Sequence, residues 1–188
     1  MSDLSLTSTI TLNNGVRIPV LGLGTFKVPN DQAYSVVRQA LDLGYRHIDT
    51  AAYYANEEGV GRAIRESGVP REEVFVTTKL WNTDHGRRET LAAFERSLKL
   101  LGLEYVDLYL VHWPRGEREE TWKAMERLLE EGSARSIGVS NYTIRHLEET
   151  IGRSYVVPAV DQVEFSPFLY QKELLSYCRT VGVVLEAH

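Results

Sequence analysis

Val74-Phe-Val-Thr-Thr-Lys79, then Glu89–Leu101, then Val106-Asp-Leu-Tyr-Leu-Val-His112 follow one another in a chain of 188 residues. The first stretch is β-branched and aromatic with no polar alternation, the pattern of a strand covered on both faces. In the second, Leu91, Phe94, Leu98 and Leu101 recur at spacings of three and four, which lays one apolar stripe along a helix. The third is again a strand-like run, interrupted only by Asp107. Strand, helix and strand, with both strands buried, define a parallel βαβ unit.

The same rhythm extends in both directions. Further strands are predicted at Val20–Gly24, His47–Thr50, Ile137–Ser140, Ala159–Phe165 and Val183–Ala187. Helices are predicted at Asp31–Leu43, Glu57–Ser67, Glu117–Glu131, Ile144–Thr150 and Gln171–Thr180. Gly44, Gly68, Gly102, Gly132, Gly152 and Gly182 fall just past the helix ends, where a left-handed cap is wanted. Ahead of Pro19, Ile10-Thr-Leu12 and Val16-Arg-Ile18 flank Asn13-Asn14-Gly15, the signal of a hairpin. No linker or shift of composition divides the chain, so residues 1–188 read as one βα domain.

A parallel sheet can be doubly wound or closed into a barrel. The first βα turn reads Gly22-Leu-Gly24 followed by Thr25-Phe-Lys27, which lacks the Gly-x-Gly-x-x-Gly fingerprint of a doubly wound dinucleotide fold. Polar side chains instead end one strand after another: Asp49, Lys79, His112, Ser140-Asn141 and Gln162. That distribution suits a (β/α)8 barrel, whose top face collects a loop from every strand.

Apolar residues make up 43% of the chain and charged residues 25%, enough for a sizeable core under a solvated surface. This excludes a disordered, collagen-like or disulfide-stapled chain. A net charge of −5 provides no basic field for nucleic acid. The lone Cys178 fits a reducing compartment and reads as a small buried side chain. No run approaches the roughly 20 apolar residues of a membrane helix, and Met1 to Thr11 lacks the features of a signal peptide. The expectation is a cytoplasmic protein with no membrane partner. Glu117–Glu120 and Glu130-Glu131 read as solvated helix faces.

Asp49, Lys79 and His112 end three consecutive strands, and Tyr54 lies five residues after Asp49. Singly, each has an ordinary reading: a turn or capping Asp, a solvated Lys, a structural His, a packing Tyr. In a barrel the four would share one pocket. At these residues the chain resembles the aldo-keto reductases. Gly44-Tyr-Arg-His-Ile-Asp-Thr-Ala-Ala-Tyr-Tyr-Ala-Asn-Glu-Glu-Gly-Val-Gly61 is similar to a signature of that family. So is Leu101-Gly-Leu-Glu-Tyr-Val-Asp-Leu-Tyr-Leu-Val-His-Trp-Pro114, and Lys79-Leu-Trp81, Gly138-Val-Ser-Asn141 and Gln162 match as well.

The resemblance implies a (β/α)8 barrel with the hairpin across its bottom and a tetrad of Asp49, Tyr54, Lys79 and His112. It implies NADPH as the usual hydride donor, with NADH left open, and reduction of aldehydes or ketones. Tyr54 would be the general acid, with Tyr53 the competing candidate. Lys79 would ease loss of the phenolic proton, Asp49 would hold Lys79, and a neutral His112 would orient the substrate oxygen. Ser140, Asn141 and Gln162 are assigned to the nicotinamide carboxamide, with Asp49 beside them and Thr25 near the ribose. Ser140-Asn141 also reads as a cap for the next helix. His188 stands where many members carry a tyrosine stacked on the nicotinamide. Phe26, Trp81 and Trp113 would wall the substrate pocket together with His112.

No metal site is expected, since His47, Asp49 and the other histidines show no close ligand spacing. The expected partner is a small carbonyl compound, and the expected state a monomer. Two other readings stand beside the enzyme: a non-catalytic nucleotide-binding relative serving a partner protein, and an inactive truncated reductase. Strand ends at Gly24, Thr50, Lys79, His112, Ser140, Gln162 and Ala187 count seven, one fewer than a closed barrel needs. The sequence therefore reads as an incomplete barrel lacking its C-terminal part. The expectation is a polypeptide continuing past His188, with an intact mass above the 21.3 kDa of these residues.

Overall fold

The computed structural model describes residues 4–188. Strands β1 (Thr9–Thr11) and β2 (Arg17–Pro19) form the antiparallel hairpin. The βα series follows: β3 (Leu23–Gly24), α1 (Asn30–Asp42), β4 (His47–Asp49), α2 (Glu57–Arg65), β5 (Phe75–Leu80), α3 (Arg87–Leu101), β6 (Leu108–Val111) and α4 (Arg118–Glu130). It continues with β7 (Ile137–Ser140), α5 (Ile144–Ile151), β8 (Val160–Val163), α6 (Lys172–Val181) and β9 (Val184–Ala187).

Strands β3 to β9 form one parallel sheet in sequence order, with no reversal. A doubly wound sheet must reverse its order at a switch point, so the order selects the barrel pattern. The sheet curls into a half-barrel, with β3 and β9 as its edges.

Side chains alternate across the curl. Ile48, Val76, Tyr109, Val111, Ile137, Val139 and Val163 face outward into the large core shared with the helices. Phe75, Leu108, Leu110 and Val160 face inward and meet Leu12 and Ile18 of the hairpin in a second apolar cluster. The hairpin thus closes the bottom of the curl, as expected. Its turn is pinned there by side-chain amides: Asn13 Nδ2 donates to the Pro158 carbonyl (3.0 Å) and Asn14 Nδ2 to that of Arg135 (3.0 Å). On β7 the inward position must be Gly138. A Cβ there would stand 2.6 Å from the Val160 carbonyl oxygen and 2.8 Å from a Leu110 methyl.

Two local expectations change. The strand read as Val20–Gly24 shortens to Leu23–Gly24, because the Val20 N–H bonds to the Ser8 carbonyl beside the hairpin. Gly152 is not left-handed: its φ is −69°, and its N–H continues the helical ladder to Glu148. Gly44, Gly68, Gly102, Gly132 and Gly182 do adopt positive φ. Cys178 is fully buried, and burial pushes its thiol up to about 12. The acidic faces are solvated, with Lys123 between Glu119 and Glu120. Among the described residues no helix is long and apolar enough to cross a membrane.

Polar residues interrupt the outward apolar face at Thr78, whose hydroxyl donates to the buried Glu57 (2.6 Å), and at Asp161. Asp161 of β8 is buried; its Oδ1 accepts the Tyr142 N–H, but Oδ2 has no partner among the described residues. Burial pushes this carboxyl from 3.8 up to about 7, opposed only by that one hydrogen bond. The folded state therefore holds the proton more tightly than the unfolded chain, and the associated stability is lost as pH rises from about 4 through about 7. Asp161→Asn keeps the acceptor and cannot ionise. Its melting temperature should exceed the parent's by several degrees at pH values above 7, and the gain should shrink towards pH 4. An equal difference across that window in calorimetry would mean that Asp161 is ionised in the fold.

Candidate active site

Inward side chains near the C-terminal ends of the strands form a polar layer above the apolar plug. At its centre, the Lys79 ammonium is 1% exposed. Its three protons have three acceptors: the Asp49 carboxylate at Oδ1, the Thr50 carbonyl (3.1 Å) and Tyr54 Oη (3.3 Å). The other oxygen of Asp49 accepts from Gln162 Nε2 at 2.8 Å. Burial works against the Lys79 charge, but the Asp49 carboxylate, helped by Tyr54, outweighs it and raises the lysine above its ordinary value.

Tyr54 closes a 3-10 turn, Ala52–Tyr54, ended by Ala55 in the left-handed region at φ 53°. Such a conformation is disfavoured for a residue with a Cβ, and here it re-aims the chain after the tyrosine. Lys27 and Asn141 share it, both at φ 62°, so all three cases lie in loops beside the site. Tyr53, the competing tyrosine, is half exposed and stacked on Trp81, with ring centroids 3.8 Å apart. Only Tyr54 of the pair hydrogen-bonds Lys79. Its phenol is raised above its ordinary value, first by burial and then by Asp49, with Lys79 opposing both. The expected pull of Lys79 is present, but burial exceeds it.

His112 follows β6, with its ring 5.7 Å from Tyr54 and 5.2 Å from Trp81. Burial and then the Lys79 charge push it down to about 4, so it is neutral at neutral pH. Its Nδ1 is buried with no partner. Phe26 packs on Tyr54 at 5.1 Å and is largely exposed, as is Trp113.

The residues expected at the cofactor divide into two groups. Ser140 Oγ donates to the Gln162 carbonyl (2.7 Å), and Asn141 Nδ2 donates to the His112 carbonyl (2.9 Å). Neither caps α5, whose N-cap is Thr143. Asn141 and Gln162 spend their amide nitrogens within the protein, and among the described residues their side-chain carbonyls have no partner. That leaves two acceptors, which fits a carboxamide N–H2 group. His188 ends β9, its N–H bonded to the Val163 carbonyl. Thr25 is fully buried, and its hydroxyl donates to the Asp49 carbonyl at 3.0 Å.

Sequence reading missed two features. Asn56 ties three loops together: its Nδ2 donates to the carbonyls of Thr25 and Val28 (both 2.9 Å), and its Oδ1 accepts from Thr50 Oγ1 (2.7 Å). Glu186 of β9 brings a second carboxylate to the polar layer. Against the expectation of no close spacing, one ligating atom each of His47, Asp49 and Glu186 lie within 4.8 Å of one another. The fold assembles them from strands at opposite ends of the chain, which residue spacing cannot reveal. The positive charge beside Asp49 is already supplied by Lys79. A cleft of about 430 Å³ elsewhere is lined by Arg118, Lys123, Glu126, Glu149 and Arg153, in the outer helical layer rather than at the strand ends.

The chain is thus a parallel half-barrel with a buried Asp–Lys–Tyr chain at its strand ends. Residues 20–188 match the Aldo/keto reductase family, and the chain belongs to it. Glyoxal reductase of Bacillus subtilis is 54% identical over 185 residues, covering 97% of this chain and 67% of that protein. The 9,11-endoperoxide prostaglandin H2 reductase of Trypanosoma cruzi is 52% identical, covering 95% and 64%. The chain thus spans about two thirds of the length of these relatives. An aldo/keto reductase crystal structure from Brucella melitensis superposes with a TM-score of 0.94 at 49% identity, covering 96% of this chain and 72% of that one. A Bombyx mori aldo-keto reductase solved in complex with NADP gives 0.92 at 40% identity, covering 96% and 66%.

The buried pair yields a stability prediction. In Asp49→Asn, Lys79 keeps its burial and loses its counter-charge. Removing one partner of such a pair costs about 3 kcal/mol or more, read as an earlier midpoint in urea unfolding. An unchanged midpoint would mean that the Thr50 carbonyl and the Tyr54 hydroxyl hold Lys79 without the Asp49 charge.

Proposed function

We propose that this chain carries the catalytic centre of an NADPH-dependent reductase that converts aldehydes or ketones to alcohols. The observation that carries this reading is the Lys79 ammonium shared between Asp49 and the Tyr54 hydroxyl. A binding protein has no need to bury a lysine charge against a phenol.

When bound, the nicotinamide supplies the hydride. The protein's part is to place the carbonyl and deliver a proton. Tyr54 gives its phenolic proton to the oxygen as negative charge develops there, and Lys79 steadies the tyrosinate that remains. Asp49 keeps Lys79 charged and in place. His112, neutral because it is buried beside a cation, donates a hydrogen bond to the same oxygen. Asn141 and Gln162 accept from the carboxamide through their free carbonyls, with Ser140 fixing the backbone between them and Asp49 and His188 flanking the same place. Phe26, Trp81 and Trp113 offer apolar walls to the substrate. The NADP complex of the Bombyx relative supports a nicotinamide cofactor, and the glyoxal reductase relative supports small aldehydes as substrates. A lone buried cysteine suits the cytoplasm, the location we propose.

Mixing the protein with NADPH and a simple aldehyde should make the NADPH absorbance fall. Tyr54→Phe should lower turnover on the order of 100-fold to 10,000-fold, the range of general acid catalysis. NADPH affinity, measured by fluorescence titration, should hardly change, since the proton transfer is made only in the transition state. Full turnover in Tyr54→Phe would remove Tyr54 from the role and leave Tyr53 as the candidate.

A further inference from the structure

The polar layer contains one charged group that the mechanism above does not use. Glu186 lies on β9 in register with Gln162 of β8, and so points into the curl on the same side as the tetrad. Its Oε2 is buried and has no hydrogen-bond partner among the described residues, although β9 is an edge of the described sheet. A carboxylate oxygen of Asp49 and a ring nitrogen of His47 lie within 4.8 Å of a Glu186 oxygen and of each other. Two carboxyl groups therefore face a single ammonium, that of Lys79.

Among the described residues Glu186 has no other counter-charge. From β4 it is faced by Asp49 and by His47, whose Nε2 is bonded to Thr77 Oγ1 and which burial pushes down to about 4, hence neutral. From β5 comes Lys79, and beyond it Tyr54. From β8 comes the uncharged Gln162, whose amide nitrogen is donated to Asp49. His112 and His188 complete the layer, and burial lowers both. Asp161 is on the opposite face of β8.

We propose that Glu186 is a positioning residue of the tetrad, a second carboxyl whose charge competes with Tyr54 for the Lys79 ammonium. This rests on the reading of Tyr54 as the proton donor. Its physical basis is like-charge crowding. Two carboxylates close to one another beside one cation resist ionising together, and the one with fewer hydrogen bonds and no direct ion pair keeps its proton longer. Asp49 accepts from both Lys79 and Gln162, while Glu186 Oε2 accepts from nothing. Burial, then Asp49, push Glu186 up to about 7, with Lys79 and Gln162 opposing. Below that pH Glu186 is neutral, and Lys79 acts on Asp49 and Tyr54 alone. Above it, the added negative charge draws on Lys79 and makes the Tyr54 proton harder to remove. The phenol then stays protonated to higher pH, which favours reduction over the reverse oxidation.

The test is the pH profile of turnover in both directions for the native polypeptide and for Glu186→Gln, which copies the neutral carboxyl in shape. In the parent, reduction should show an inflection near pH 7 in addition to its alkaline limb. In Glu186→Gln that inflection should vanish, and the alkaline limb should move down by about one pH unit, the effect of removing one nearby charge at an effective dielectric of 20. Oxidation of the alcohol should gain activity at lower pH by the same shift. Glu186→Asp, which keeps the charge, should keep the inflection. Should Glu186→Gln fail to fold, Glu186→Asp still decides, since a parent or Glu186→Asp profile without an inflection near pH 7 would overturn the proposal. A Glu186→Gln profile coincident with the parent's, at unchanged melting temperature, would reduce Glu186 to a space-filling role and overturn the proposal. That outcome is separate from failure of the tetrad reading, which would appear as full turnover in Tyr54→Phe.

Discussion

The structure is organised around a lysine charge taken out of water. A buried ammonium costs several kcal/mol unless it is paired and all of its protons have acceptors. For Lys79 the acceptors come from three consecutive positions of the path: the end of β4, the first residue after it, and the turn that bears Tyr54. Asp49 in turn needs its second oxygen satisfied, and the donor is Gln162, 113 residues away. In the sheet β5, β6 and β7 lie between β4 and β8. A 2.8 Å bond from Gln162 to Asp49 can form only if the sheet curls back on itself, so satisfying this charge and curving the sheet are one requirement.

The inner face is layered accordingly. Below, Phe75, Leu108, Leu110 and Val160 pack on Leu12 and Ile18 and exclude water from the underside of the polar groups. Above, Asp49, Lys79, Gln162 and Glu186 meet in a region of low dielectric, where each charge acts strongly on its neighbours. Burial protonates and neutralises, raising Tyr54 and lowering His112, while Lys79 and Asp49 act against or along with it. On the outer face the buried polar groups are few, chiefly Asp161 and the Thr78–Glu57 pair. The strain in the loops falls at Lys27, Ala55 and Asn141, beside the site rather than across the fold.

The outer architecture was legible in local residue order. Apolar runs, helical stripes and glycines after helix ends located every strand and helix within a few residues, because each depends on near neighbours in sequence. Where neighbours along the chain were not the deciding ones, reading failed locally. Val20 pairs with Ser8 rather than continuing β3, and Gly152 stays helical in a turn where Ser154 Oγ takes up the Thr150 carbonyl.

The sequence by itself determined the parallel βα order, the N-terminal hairpin and the polar side chains that end five of the strands. These follow from periods of two and 3.6 residues and from residue type. Only the tertiary structure decided which partners those side chains meet. It turned the Thr25 hydroxyl towards the Asp49 carbonyl, put the Tyr54 hydroxyl within hydrogen-bond range of Lys79, and brought Glu186 beside Asp49. Curvature sets these distances across the sheet, and curvature is a property of all the strands together. No residue spacing records it.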